Sequence, residues 1–82
     1  MGTWTAEDLL IAFDSTHAAM AAQKALERAG VAFSVIPTPR TITASCGITL
    51  AVRAGQAAEA RTTIEGCNDI AALCAFYSGE AS

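Results

Sequence analysis

The sequence predicts a ferredoxin-like α+β sandwich of order β-α-β-β-α-β, with one antiparallel sheet and two helices on one of its faces. Three observations predict it. A short apolar run, Asp8-Leu-Leu-Ile-Ala-Phe-Asp14, is closed by a turn signal. Two alanine-rich stretches of helix-forming residues each follow a strand-like segment. Between them, Ile48, Leu50 and Val52 alternate with Thr49, Ala51 and Arg53, the period-two signature of a strand. At 82 residues the chain is read as one domain spanning residues 1–82.

The elements follow in order. The run before Asp14 is a buried strand, and Asp14, Ser15 and Thr16 offer side-chain oxygens to the free N–H groups of a helix start. From His17 to Ala29, Ala18, Ala22, Ala25, Leu26 and Ala29 share a face, while Gln23, Lys24, Glu27 and Arg28 fall largely on the other. Gly30 is placed as the helix stop. Val31 to Ile36 is the second strand, with Val31, Phe33 and Val35 on one face and Ser34 on the other. Pro37-Thr38-Pro39 is expected to end it, because proline donates no ladder hydrogen bond. Arg40 to Gly47 is polar and reads as a loop before the strand at Ile48. Ala54 to Glu65 is the second helix, closed by Gly66 or Asn68. Ile70 to Tyr77 fits a strand or a short helix, and its length and place favour a strand. The tail from Ser78 to Ser82 is expected to fray. One sheet face would remain uncovered and apolar, and a homodimer through that face or by edge pairing would cover it.

Composition narrows the function. The net charge is −3 with five basic residues, and the pI is about 4.8. Such a chain lacks the basic footprint of nucleic-acid binding and has no attraction to an anionic membrane surface. No apolar run is long enough to span a bilayer. Met1 to Asp8 lacks the layout of a secretion signal. Three widely spaced cysteines do not form a disulfide framework, so the expected compartment is the cytoplasm.

The chemistry-bearing candidate is Cys46, within Arg40-Thr-Ile-Thr-Ala-Ser-Cys-Gly47. Loops on a rigid scaffold are common places for function. Its thiolate would be the nucleophile, with Arg40 stabilising the charge and Ser45 donating a hydrogen bond. Gly47 would allow a tight turn that presents N–H groups to an anion. Pro37 and Pro39 would stiffen the approach. The same residues also fit a small apolar filler cysteine beside a rigid turn with a solvated arginine. Cys74 sits in an apolar segment and reads as structural. Cys67, at a helix end, would be a resolving thiol if the fold brought it near Cys46. His17 reads as a surface residue. With one histidine and no Cys-x-x-Cys, no metal site and no cofactor are expected.

These residues carry a resemblance. Phe13-x-Ser15-Thr16, a helix ending in Gly30, Ile36-Pro37-x-Pro39-Arg40 and Ile42-x-x-Ser45-Cys46-Gly47 together resemble the small selenium/sulfur carrier-like protein family, from about Leu10 to Val52. The paired Pro-x-Pro-Arg and Ser-Cys-Gly signature is more specific than either part. Gln23 stands where the family tends to have a glutamate. The resemblance implies a carrier or accessory protein rather than a turnover enzyme. Cys46 would hold sulfur or selenium as a persulfide-type adduct, received from a donor protein and passed to an acceptor protein. Pro37, Pro39, Arg40, Ser45 and Gly47 would complete the site. The alternatives are a non-catalytic interaction or assembly module with a structural cysteine, and metal handling by thiols of two chains.

Overall fold

A computed structural model describes residues 4–39, Ile42 and residues 47–81. The chain forms β1 (Leu9–Phe13), α1 (Thr16–Arg28), β2 (Ser34–Pro37), β3 (Ile48–Val52), α2 (Ala54–Glu65), a short α3 (Asn68–Ala71), β4 (Cys74–Ser78) and a final 3-10 turn (Gly79–Ala81). The strands make one antiparallel sheet in the order β2-β3-β1-β4, so the predicted α+β architecture is the one observed. Among the described residues, no helix is long and apolar enough to cross a membrane.

Helix α1 is set by its ends. The Ser15 side chain accepts a hydrogen bond from the Ala18 N–H, a standard N-cap. At the other end Gly30 adopts a left-handed φ of 76°. Val31 N–H then reaches the Leu26 carbonyl at 2.9 Å, and Gly30 N–H reaches that of Glu27 at 3.1 Å. This is the two-bond Schellman closure, and Leu26 and Val31 are both buried in the core beside it. Gly30→Ala meets no atom within 4 Å, so only the backbone would be strained. We expect a loss of about 1 kcal/mol, read as a lower urea midpoint. An unchanged midpoint would mean that the closure can relax without cost.

The main core lies between the sheet and the helices. Leu9, Ile11 and Phe13 of β1 and Leu50 and Val52 of β3 meet Ala18, Ala19, Ala22 and Leu26 of α1, Ala60 and Ile64 of α2, and Ile70 of α3. The alanines let α1 lie close to the strands. Ile70 and Ala71 belong to α3, while Cys74 to Tyr77 belong to β4, so the last apolar segment is helix and strand in turn rather than one strand.

The second sheet face corrects an expectation. It is apolar, but its centre is not bare: Leu10, Ala12 and Ala51 are buried there with Ile42, and Trp4, Ile36 and Tyr77 pack against them. Ile42 belongs to the connection between β2 and β3, a stretch whose other side chains gave it the character of a polar loop. Because β1 is covered on both sides, all five of its residues are buried, which explains an apolar run without alternation.

Two further expectations change. The second strand starts at Ser34 rather than Val31 and includes Pro37, and Val35 is exposed because it lies on the outermost strand. Thr38 N–H bonds the Gly47 carbonyl at 3.1 Å, in register with the β2–β3 ladder. Hydrogen-bonded pairs alternate along such a ladder, so the backbone of Pro37 faces away from β3. Its missing N–H removes no bond, and the strand tolerates it. The end of the chain does not fray at Ser78 or Gly79. Ser78 is in β4, its hydroxyl donates to the Ala6 carbonyl at 3.0 Å, and buried Gly79 donates to the Asp8 carbonyl at 2.8 Å.

Candidate functional site

Arg40, Ser45 and Cys46 lie outside the described residues, so the site is approached through the frame around them. Pro37 is paired with Ile48 in the β2–β3 ladder. The wholly buried hydroxyl of Thr49 donates to that of Thr38 at 3.0 Å. The Pro39 carbonyl accepts from the Ile42 N–H at 3.0 Å, and the Ile42 side chain is sunk in the second core. On the far side Gly47 is bonded back to Thr38. The segment bearing Cys46 is therefore held at Ile42 and at Gly47 by described contacts. Gly47 itself has open space around its α-carbon, and positive φ among described residues occurs at Gly30 alone. The tight turn expected of Gly47 does not draw on the left-handed region.

Register places several groups at one end of the sheet. Phe13 pairs with Cys74, and Ala12 pairs with Thr49. The start of β3, the end of β1 and the start of β4 thus share that end with the start of α1. Helix α2 runs back toward it and delivers Cys67. A cleft of about 600 Å³ opens there between α1 and α3, lined by His17, Ala21, Cys67, Asp69 and Leu73 among others. His17 is exposed, as expected of a surface residue. Among the described residues no group of three or more His, Cys, Asp or Glu is arranged to hold a metal ion.

The two described thiols are both free and half-buried. The carbonyl of Cys67 accepts from Ile70 and Ala71 and so starts α3. The Cys74 thiol donates a long hydrogen bond to the Ala71 carbonyl at 3.7 Å. Burial pushes its pKa up, and the negative charges of Asp14 and Glu65 push it further. A thiol held neutral in this way is a poor nucleophile and a poor carrier.

Asp8 is the polar centre that sequence reasoning missed. Its carboxylate is buried and accepts from the Thr5 N–H at 2.9 Å, the Ala54 N–H at 2.8 Å and the Arg53 guanidinium at 3.3 Å. Arg53 also stacks on the Trp4 ring, 4.1 Å from its centroid. Helix α2 begins after Arg53, which makes no side-chain cap, and Asp8 supplies that cap from a strand end 46 residues earlier. The one sequence signal was the absence of a capping residue before Ala54. This cluster lies at the end of β1 away from the cleft, and its bonds are structural.

A family model described as "Putative Se/S carrier protein-like" matches residues 8–71 of the chain. No curated protein and no solved structure matches it.

Proposed function

Because this chain belongs to the Se/S carrier protein-like family, we propose that it carries sulfur or selenium on Cys46 and relays it between proteins. The match over residues 8–71 carries this reading, since it contains the whole Pro37 to Gly47 signature. The raised pKa of Cys74 argues against that thiol as the carrier. The anchoring of Ile42 and Gly47 supports the reading, since a short tethered segment orders its thiol at lower entropic cost.

The transfer needs no net oxidation or reduction. The Cys46 thiolate attacks the terminal sulfur of a persulfide on a donor protein. A new bond forms between the two sulfurs, the donor's S–S bond breaks, and the donor thiolate leaves with the electron pair. An acceptor thiolate then attacks the terminal sulfur on Cys46, and Cys46 leaves as thiolate. A selenium atom would move by the same exchange. Arg40 favours the thiolate in both steps, as attacking and as leaving group, and Ser45 donates to it. Pro37 and Pro39 stiffen the approach, and Gly47 offers a backbone N–H to the anion.

The test is the pH dependence of alkylation at each cysteine, followed by mass spectrometry. Cys46 is expected to react with an apparent pKa below the free-thiol value of about 8.5, and Arg40→Ala is expected to raise it. Cys74, held neutral by burial, should react slowest and only at higher pH, which provides a control within the same chain. A slow or inaccessible Cys46, or one indifferent to Arg40→Ala, would remove the arginine-assisted carrier and favour an interaction module.

A further inference from the structure

We propose that the free edge of β4 pairs with β4 of a second copy of this chain, joining the two sheets into one. Strand order β2-β3-β1-β4 leaves two edges, β2 and β4. The β2 edge is closed to pairing, because the outward backbone position at Pro37 has no N–H to offer. Strand β4, Cys-Ala-Phe-Tyr-Ser, has no proline and no charge, the usual devices that keep an edge unpaired. No strand among the described residues continues the sheet beyond it.

The register accommodates a second copy as the partner. Asp14 N–H bonds the Leu73 carbonyl and Gly79 N–H bonds the Asp8 carbonyl, each at 2.8 Å. Both pairs continue the β1–β4 ladder, which aligns Leu9 with Ser78 and Phe13 with Cys74. Hydrogen-bonded and non-bonded pairs alternate, so Ala75 and Tyr77 bond inward to β1. The backbones of Cys74, Phe76 and Ser78 face outward. These positions are symmetric about Phe76. An antiparallel copy related by a two-fold axis at Phe76 sets Phe76 against Phe76 and Cys74 against Ser78, each pair exchanging two hydrogen bonds.

The side chains agree with this arrangement. Phe76 lies on the helix side of the sheet, packed against the core, with the Arg61 guanidinium 4.8 Å from its ring centroid. Directly opposed aromatic rings on one face favour cross-strand pairing. Arg61 brings its own counter-charge, Glu65 at 3.3 Å, so the axis does not gather unbalanced positive charge.

The experiment is the solution mass by light scattering, joined to a cysteine scan of the edge. The wild-type chain is expected at twice its 8.4 kDa mass. Phe76→Pro removes the outward N–H together with the ring, leaves the inward ladder bonds to β1 intact, and is expected to halve that mass while keeping the circular dichroism of the fold. In a background of Cys46→Ser, Cys67→Ser and Cys74→Ser, Phe76→Cys is expected to form an interchain disulfide, since a hydrogen-bonded pair sets its α-carbons about 5.5 Å apart. Ala75→Cys, which would face Tyr77 of the other copy, is expected not to. A wild-type monomer overturns the proposal. So does a dimer in which Phe76→Cys fails to cross-link or Ala75→Cys cross-links equally. If Phe76→Pro unfolds, the cross-linking pair decides alone.

Discussion

Ile42→Asp is expected to remove about 4 kcal/mol of stability, a large part of what a chain of this length holds. Ile42 is 4% exposed and packs into the cluster of Leu10, Ala12 and Ala51. Truncation to alanine alone should cost about 2–4 kcal/mol and lower the melting temperature by roughly 15 °C. Aspartate adds the burial of a carboxylate with no partner. The penalty has a ceiling, because the connection can lift off the sheet and expose the face instead. The two variants should therefore differ by less than their transfer energies suggest. Both should bind a hydrophobic dye where the wild type does not. Unfolding in urea measures the loss, and values within about 0.5 kcal/mol of wild type would show that Ile42 does not hold the connection down. The variants also bear on function: once Ile42 is free, the Cys46 segment loses one of its two anchors, and the alkylation profile of Cys46 should drift toward that of an ordinary exposed thiol.

The second large effect is expected at Asp8. Its pKa lies below the ordinary value of 3.8, first because of the hydrogen bond from Thr5, then through Ala54 and Arg53, against an opposing push from burial. The folded state thus binds this proton less tightly than the unfolded state does. The stability gained is present in full above the unfolded pKa and is lost as pH falls through 3.8 toward the folded value. Asp8→Asn should be less stable than wild type at pH 7, because it loses the charge facing Arg53 and sets an amide donor among N–H donors. The deficit should shrink as pH is lowered below about 4, where the wild type loses the same advantage. Urea titrations at neutral and acid pH compare the two directly. Equal stability at pH 7 would mean that the carboxylate adds nothing to the capping of α2.

The Asp8 cluster and the chain end are one unit. Gly79 lies against Thr5, Trp4 and Asp8 so closely that a β-carbon there would collide with the Thr5 carbonyl oxygen. The segment before β1 and the turn after β4 therefore lock together at the end of the sheet opposite the cleft.

The candidate site was legible as a motif and only in part as a place. Pro37, Thr38, Pro39, Ile42 and Gly47 show how its flanks are held, and nothing in their spacing said that Ile42 would be a core residue. One isoleucine among threonines has no periodicity to signal burial. Cys74 was legible as structural from its apolar setting, and its raised pKa has that same cause.

The sequence by itself determined the β-α-β-β-α-β order, a helix start within Asp14 to Thr16, the Gly30 stop and the strand at Ile48, since each depends on neighbours within a turn or two along the chain. Only the tertiary structure decided that Pro37 belongs inside an edge strand, that Val35 is exposed, that Ile42 covers the second face and that Asp8 caps a helix far along the chain. Those outcomes depend on register and on which strand becomes an edge. These are set by contacts between segments distant in sequence, for which local propensity and period carry no information.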